Sequence, residues 1–211
     1  NQGDFIPAGA TWVRDRVETF DPEGKEVALA SGERVAYDTL VVAAGLQIDW
    51  GKIPGLSENL GKNGVCSNYG YDTVDFTWNA IRSFRGGNAI FTQPNTPIKC
   101  GGAPQKIMYL AEDHFRRAGV RERAHIKFFL PPPKIFGVEK YGNALARLCD
   151  ERGIERVHRH EIVEIRGDEK VAVFVNLDTG EKIEQPFDLL HVTPPMSAPD
   201  FLKASPLAAE T

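Results

Sequence analysis

Asn88-Ala89-Ile90-Phe91-Thr92 and, after a loop, Gly101-Gly102-Ala103-Pro104-Gln105-Lys106-Ile107-Met108 are the residues whose reading decides the fold. The first run is short, apolar and bounded by Gly86-Gly87 and Gln93-Pro94, which predicts a buried strand over 88–92. The second leads into a segment with helical spacing, a helix over 103–118. The pattern then repeats, with a strand over 125–130, a helix over 141–152 and a short strand at 156–157. Strands that alternate with helices in this order build a parallel sheet.

Working outward, a helix over 73–84 carries Val74, Thr77, Trp78 and Ile81 on one face and stops at Gly86-Gly87. Downstream, 161–165 and 171–176 form a hairpin, and 187–192 is a last strand that reads as a return toward the first part of the chain. Near the N-terminus, 11–20 and 25–29 read as strands of a small β-meander, with Asp21-Pro22-Glu23-Gly24 and Ser31-Gly32-Glu33 as turns. Thr39-Leu40-Val41-Val42-Ala43-Ala44 is a near-continuous apolar run of the kind buried on both faces of a parallel sheet, closed by Gly45. The expected architecture is therefore α/β. It is a Rossmann-like parallel sheet with helices on both faces plus a β-meander, partitioned at 1–64, 65–186 and 187–211.

With 211 residues, 42% hydrophobic, the chain has material for a real core. A net charge of −4 and the lack of any basic stripe argue against nucleic-acid binding. No run reaches the roughly 18 apolar residues that cross a bilayer. Three widely spaced cysteines give neither a disulfide framework nor a CxxC pair, and no histidine pair has metal-ligand spacing with a third partner.

Cys100 is the candidate nucleophile. It sits at the mouth of the 103–118 helix between Lys99 and Lys106, and the helix dipole with two cations favours the thiolate. Gly101 and Gly102 leave the backbone open to a flat ligand. A nicotinamide site needs a glycine-rich turn after the first strand and an acid after the second. Here the first strand runs into Gln93-Pro94-Asn95-Thr96-Pro97 and the second into Pro131-Pro132-Pro133, so NADH binding is not expected. Cys66 reads either as a redox or sulfur-storage residue or as a small buried side chain, and Cys149 as helix core. His191, at the end of the last strand, is either a proton carrier or a strand-end histidine bonded to backbone. His158 and His160 read as solvated, and Trp12, Trp50 and Trp78 as core.

The segment 88–115 around Lys99-Cys100-Gly101-Gly102 resembles the sulfide:quinone oxidoreductases. So do Tyr37-Asp38-Thr39-Leu40-Val41-Val42-Ala43-Ala44-Gly45, Phe136-Gly137-Val138, Asn176-Leu177-Asp178 and Leu190-His191-Val192-Thr193-Pro194-Pro195-Met196. The resemblance implies a flavoprotein with two dinucleotide-binding domains, of which 1–64 is part of the FAD domain, 65–186 the second domain and 187–211 the return. It implies oxidation of sulfide to sulfane sulfur at Cys100, delivery of that sulfur to an acceptor, and electron transfer through FAD to a membrane quinone. It also matches Cys100 to a flavin-side cysteine whose partner cysteine is not in this sequence, and Cys66 to the third cysteine of some bacterial members, although mitochondrial-type members lack it.

Gly45 and Gln47 are expected near the flavin, with Gly101, Gly102 and Lys106 on the cofactor side of Cys100. No G-x-G-x-x-G loop occurs in the sequence, so the chain reads as an internal fragment that is inactive alone and holds little FAD. A soluble chain is expected, from an enzyme peripheral to the bacterial or mitochondrial inner membrane that touches the membrane through other parts. The alternatives are a type II NADH:quinone dehydrogenase-like flavin reductase and a non-catalytic sulfur-carrier or interaction module.

Overall fold

In the computed structural model, which describes residues 1–209, the chain divides into two units: Asn1–Gln47 with the residues from Ala198 on, and Ile48–Ser197. These divisions fall at 47/48 and 197/198, and Glu210 and Thr211 of the expected 187–211 segment lie outside the described residues.

The first unit is built on the expected meander, β1 (Val17–Asp21), β2 (Glu26–Leu29) and β3 (Arg34–Ala36), in antiparallel order. Asp21 Oδ1 accepts the Gly24 N–H at 2.9 Å, which closes the first turn. Phe20, Val27 and Leu29 are buried together, and Phe20 stacks on Phe201 at 5.8 Å. The run 39–44 is not a strand: Val41 is 83% and Val42 42% exposed. A strand of that kind needs paired neighbours and covered faces, and the meander supplies neither. The unit also holds the one-turn helix Asp200–Lys203, α5 below. Trp12, expected in the core, is 39% exposed, with the Arg14 guanidinium 5.1 Å over its ring. The chain leaves this unit through β4 (Gln47–Ile48).

The second unit runs α1 (Leu56–Asn59), β5 (Val65–Cys66), α2 (Val74–Ser83), β6 (Gly87–Thr92), α3 (Ala103–Arg117), β7 (Ala124–Leu130), α4 (Glu139–Glu151) and β8 (Glu155–His158). It continues with β9 (His160–Arg166), β10 (Val171–Asn176), β11 (Lys182–Pro186), β12 (Leu189–His191) and β13 (Met196–Ser197). A five-stranded parallel sheet has the order β5-β12-β6-β7-β8. The run expected to return to the first domain is therefore β12, paired on both sides, with Leu190 opposite Val65 and Ile90.

Alternate residues of these strands feed two cores. Ala89, Phe91, Ile126, Phe128 and Leu189 point to the side where Ile81 of α2, Met108, Ala111 and Phe115 of α3 and Cys149 of α4 pack. Ile90, Phe129 and Leu190 face the other side, where the antiparallel sheet β11-β10-β9 contributes Ile162, Ile165, Ala172 and Phe174. Phe129 and Phe174 stack at 3.8 Å, and each such buried ring contributes about 2 kcal/mol by area. Helices thus cover one face, whereas the second is covered by the β9–β11 sheet and the single turn of α1. The expected hairpin gained a third strand, and one sheet laid on another hides apolar residues as well as a helix does.

Candidate functional site

Every parallel strand of the second unit ends at the same edge, and the chain order reverses between β6 and β12, the position at which open α/β sheets hold ligands. The loop from Gln93 to Gly102 leaves β6 at this edge and is tied down on both sides. Thr193 N–H donates to Thr92 Oγ1 at 3.2 Å, and Met196 N–H donates to Thr96 Oγ1 at 3.0 Å.

Cys100 is exposed, one turn before α3, and its carbonyl accepts the Ala103 N–H at 3.0 Å. Its thiol is held below the ordinary range. The largest cause is the Gly102 backbone N–H; desolvation opposes it, and the Lys106 charge and the Ala103 N–H assist it. Lys106 Nζ lies 3.9 Å from Cys100 Sγ. Lys99, expected to act alongside Lys106, is not among these causes. Gly101 and Gly102 have ordinary negative φ; a Cβ at Gly101 would touch only the Phe136 ring at 3.5 Å and one at Gly102 only Lys106 Cε at 3.8 Å. Gln105 Nε2 donates to the Ile135 carbonyl at 2.6 Å and fixes the 131–138 loop against α3. Beside Gly101 this loop borders an open, mainly apolar pocket of about 520 Å³ lined by Gln93, Pro132, Pro133, Ile135 and Phe136.

A polar group lies one strand away. His191 is fully buried, and desolvation pushes its imidazole down to about 3, so it is neutral. Its Nε2 lies 3.2 Å from the Asn68 backbone N–H, a contact that needs the nitrogen as acceptor, and 3.0 Å from Asn68 Oδ1, a contact that needs it as donor, so both tautomers have a partner in Asn68. Phe91 stacks on the ring at 5.9 Å, and Tyr69 lies 6.5 Å away. The strand-end reading of His191 thus prevails over free proton exchange with solvent.

No family model matches the sequence. The chain is 47% identical over 204 residues to the mitochondrial sulfide:quinone oxidoreductase of Mus musculus, covering 96% of this chain and 45% of that protein. It is 45% identical over 209 residues to that of Dictyostelium discoideum, covering 99% and 46%. The chain is a homologue of the sulfide:quinone oxidoreductases. It spans about half the length of these curated relatives. Among solved structures, the sulfide:quinone oxidoreductase from Aquifex aeolicus shares its fold, with a TM-score of 0.73 at 18% identity over 91% of this chain and 44% of that one.

In this sulfide:quinone oxidoreductase homologue the expected site residues are distributed as follows. Cys100, Gly101, Gly102 and Lys106 come together at the mouth of α3. Cys66 ends β5, fully buried against α2, and burial pushes its thiol up to about 12. Gly45 and Gln47 belong to the first unit. Gly45 has φ +76° with open space where a Cβ would be, whereas Gln47 is committed to α5: its Nε2 donates to Asp200 Oδ1 at 2.9 Å and its Oε1 accepts the Asp200 N–H at 2.8 Å.

Cys149 is buried in α4 as expected, with Sγ 3.2 Å from Tyr109 Oη. Trp78 is 49% exposed and stands edge-on to His114 of α3, against the core reading, whereas Thr77 and Ile81 of the same α2 face are buried. His158 and His160 are half-buried, with ring nitrogens 2.9 and 2.7 Å from the Pro132 and His158 carbonyls. Sequence reasoning did not single out Tyr69, Gln93 and Thr193 at this edge; each follows its strand, β5, β6 or β12, within three residues.

Among the described residues no helix is long and apolar enough to cross a membrane.

Proposed function

We propose that this chain is the sulfur-handling portion of a sulfide-oxidising, quinone-reducing flavoprotein, with Cys100 as the nucleophile. The observation that carries this reading is an exposed thiol whose thiolate is favoured by the Gly102 N–H and Lys106 at the ligand-binding edge of the sheet. The turn that would otherwise cradle a nicotinamide phosphate is replaced by Pro94 and Pro97, which have no N–H to donate. Membrane quinone, sulfide and a sulfur acceptor are the partners in this reading, and a peripheral place on the mitochondrial inner membrane is the location. Cys66 would have to leave the core and lose its proton before it could store sulfur; in this chain it packs as an apolar residue.

The chain's residues fit one edge of FAD. The backbone at Gly101 and Gly102 is free of side chains that would block a flat ring, and Lys106 offers a cation, whereas no glycine-rich loop for a pyrophosphate occurs in the sequence. Bound FAD supplies a two-electron acceptor. Gly101, Gly102 and Lys106 would line it in the full protein, and the chain alone holds it weakly. The task of the chain's own residues is to keep Cys100 deprotonated and accessible.

The test is sulfide-dependent reduction of a soluble quinone by the full-length protein. Cys100→Ser should abolish it with the fold intact by circular dichroism. A serine variant that keeps the normal rate would remove Cys100 from the reaction.

A further inference from the structure

At the C-terminal edge of the parallel sheet two hydroxyls are buried without a hydrogen-bond partner among the described residues: Tyr69 Oη, after β5, and Thr193 Oγ1, after β12. Thr193 is fully buried. The two hydroxyls are neighbours, close enough for Thr193 to favour ionisation of the Tyr69 phenol, yet neither meets hydrogen-bond geometry with any described residue. Leaving buried polar groups unpaired is costly, so a pair of this kind points to a ligand atom between them. Both donors are held in place. Thr193 is fixed through its own N–H to Thr92 Oγ1, and Tyr69 follows Asn68, whose N–H bonds to His191. The loop on which Thr96 receives the Met196 N–H carries Cys100. Burial raises the Tyr69 phenol most; Thr193 offsets part of this, and Cys100 is close enough that its thiolate charge adds to the rise. The phenol therefore keeps its proton and can only donate toward an anion on the cysteine side.

We infer that the hydroxyls of Tyr69 and Thr193 are the donor pair that holds the terminal sulfur anion of a persulfide formed on Cys100. This rests on the reading of Cys100 as a sulfur-carrying nucleophile. The resting thiolate does not reach the pair, since neither hydroxyl bonds to it, but a persulfide extends the anionic atom one S–S bond further from Sγ.

Polysulfide supplies the sulfur without any other oxidant. The Cys100 thiolate attacks a terminal sulfur of tetrasulfide, the adjacent S–S bond breaks, trisulfide leaves as the dianion, and the enzyme holds Cys–S–S⁻. Cyanide then attacks the outer sulfur, releasing thiocyanate and the thiolate, which gives a colorimetric count of bound sulfur.

The 211-residue chain, treated with limiting sodium tetrasulfide, desalted and assayed with cyanide, should yield thiocyanate. Tyr69→Phe and Thr193→Val should each lower that yield about tenfold, the size of one lost hydrogen bond to a charged atom. Thr193→Ser, which keeps the hydroxyl, should retain it. Iodoacetamide alkylation of unloaded Cys100 should change by less than about twofold in all three, since the pair contributes nothing to the resting thiolate. Equal thiocyanate yield from wild type and both hydroxyl-deleting variants would overturn the donor pair while leaving Cys100 in place. No Cys100-dependent thiocyanate from wild type would overturn the sulfur-carrier reading and the donor pair with it. If Thr193→Val fails to fold, Tyr69→Phe, which removes one oxygen from a half-buried ring, decides alone.

Discussion

The two edges of the parallel sheet treat their buried polar side chains in opposite ways. Near the starts of β7 and β8, Glu112 is fully buried, and its carboxylate is saturated by Arg116 at 2.6 Å, Arg152 at 2.8 Å and Arg121 at 3.4 Å. Arg121 spends its remaining donors on the carbonyls of Ala124, Arg152 and Gly153. At the strand ends, Tyr69, Gln93, His191 and Thr193 each keep a buried polar atom without a partner among the described residues. The larger cavity, about 760 Å³, is at the Glu112 edge, and its Glu112, Arg116, Arg121 and Arg152 already answer one another. Cavity size is therefore a poor guide in this molecule. Unspent hydrogen-bonding capacity beside a reactive thiol is the better one.

The largest contrast to test is between the two cysteines at the strand-end edge. Raising a thiol from 9.0 to about 12 makes the thiolate about a thousandfold scarcer at neutral pH, at tenfold per unit. With limiting iodoacetamide near pH 6.5, peptide mass mapping should find Cys100 labelled first and Cys66 and Cys149 only after unfolding. Comparable labelling of Cys66 and Cys100 in the folded chain would mean that the edge is uniformly open and the contrast false.

His191 gives the next effect. Its folded value of about 3 lies below the ordinary 6.5, so the unfolded chain takes up a proton first as the pH falls. The stability tied to the neutral ring is complete above pH 6.5 and is lost progressively from there toward pH 3. By pH 4 the loss should be about 3 kcal/mol, at 1.4 per unit. Urea midpoints at pH 7 and pH 4 should differ far less in His191→Asn than in wild type. A wild-type midpoint that does not move more than the variant's would show that the ring accepts its proton freely.

The smallest effect belongs to the satisfied edge. Glu112→Gln keeps the size but removes the charge that three arginines share. It should cost about 2 kcal/mol by urea unfolding, below the range for fully buried pairs because Arg116 and Arg152 remain partly solvated. Cys100 alkylation should be unaffected. A slower Cys100 in this variant would mean that the two edges are coupled through α3.

The alternation of strand and helix from 87 to 158 was legible because each element has its own period and its own breakers, and the loop carrying Cys100 was legible as the join between two of them. Three things were not. Val65–Cys66 is too short to show a period, and it is a strand only because β12 pairs with it. The apolar run 39–44 has the composition of a buried strand, but burial is decided by neighbours that the run itself does not encode. Tyr69 and Thr193 are 124 positions apart in sequence and become neighbours only through the strand order β5-β12-β6. That order places a late strand in the middle of the sheet, which no local pattern announces.

The placement of β12 also sets a schedule. Leu189 pairs with Ala89 and Leu190 with Val65, so the middle of this sheet is the last strand of it to be synthesised. Until residue 191 has emerged, β5 and β6 have no partner between them and each offers an open, apolar edge of the kind that pairs with other chains. The helical layer α2–α4 and the hairpin β9–β10 can form from local contacts in that interval. The sheet itself closes only by a long-range search, the slow kind of step in folding.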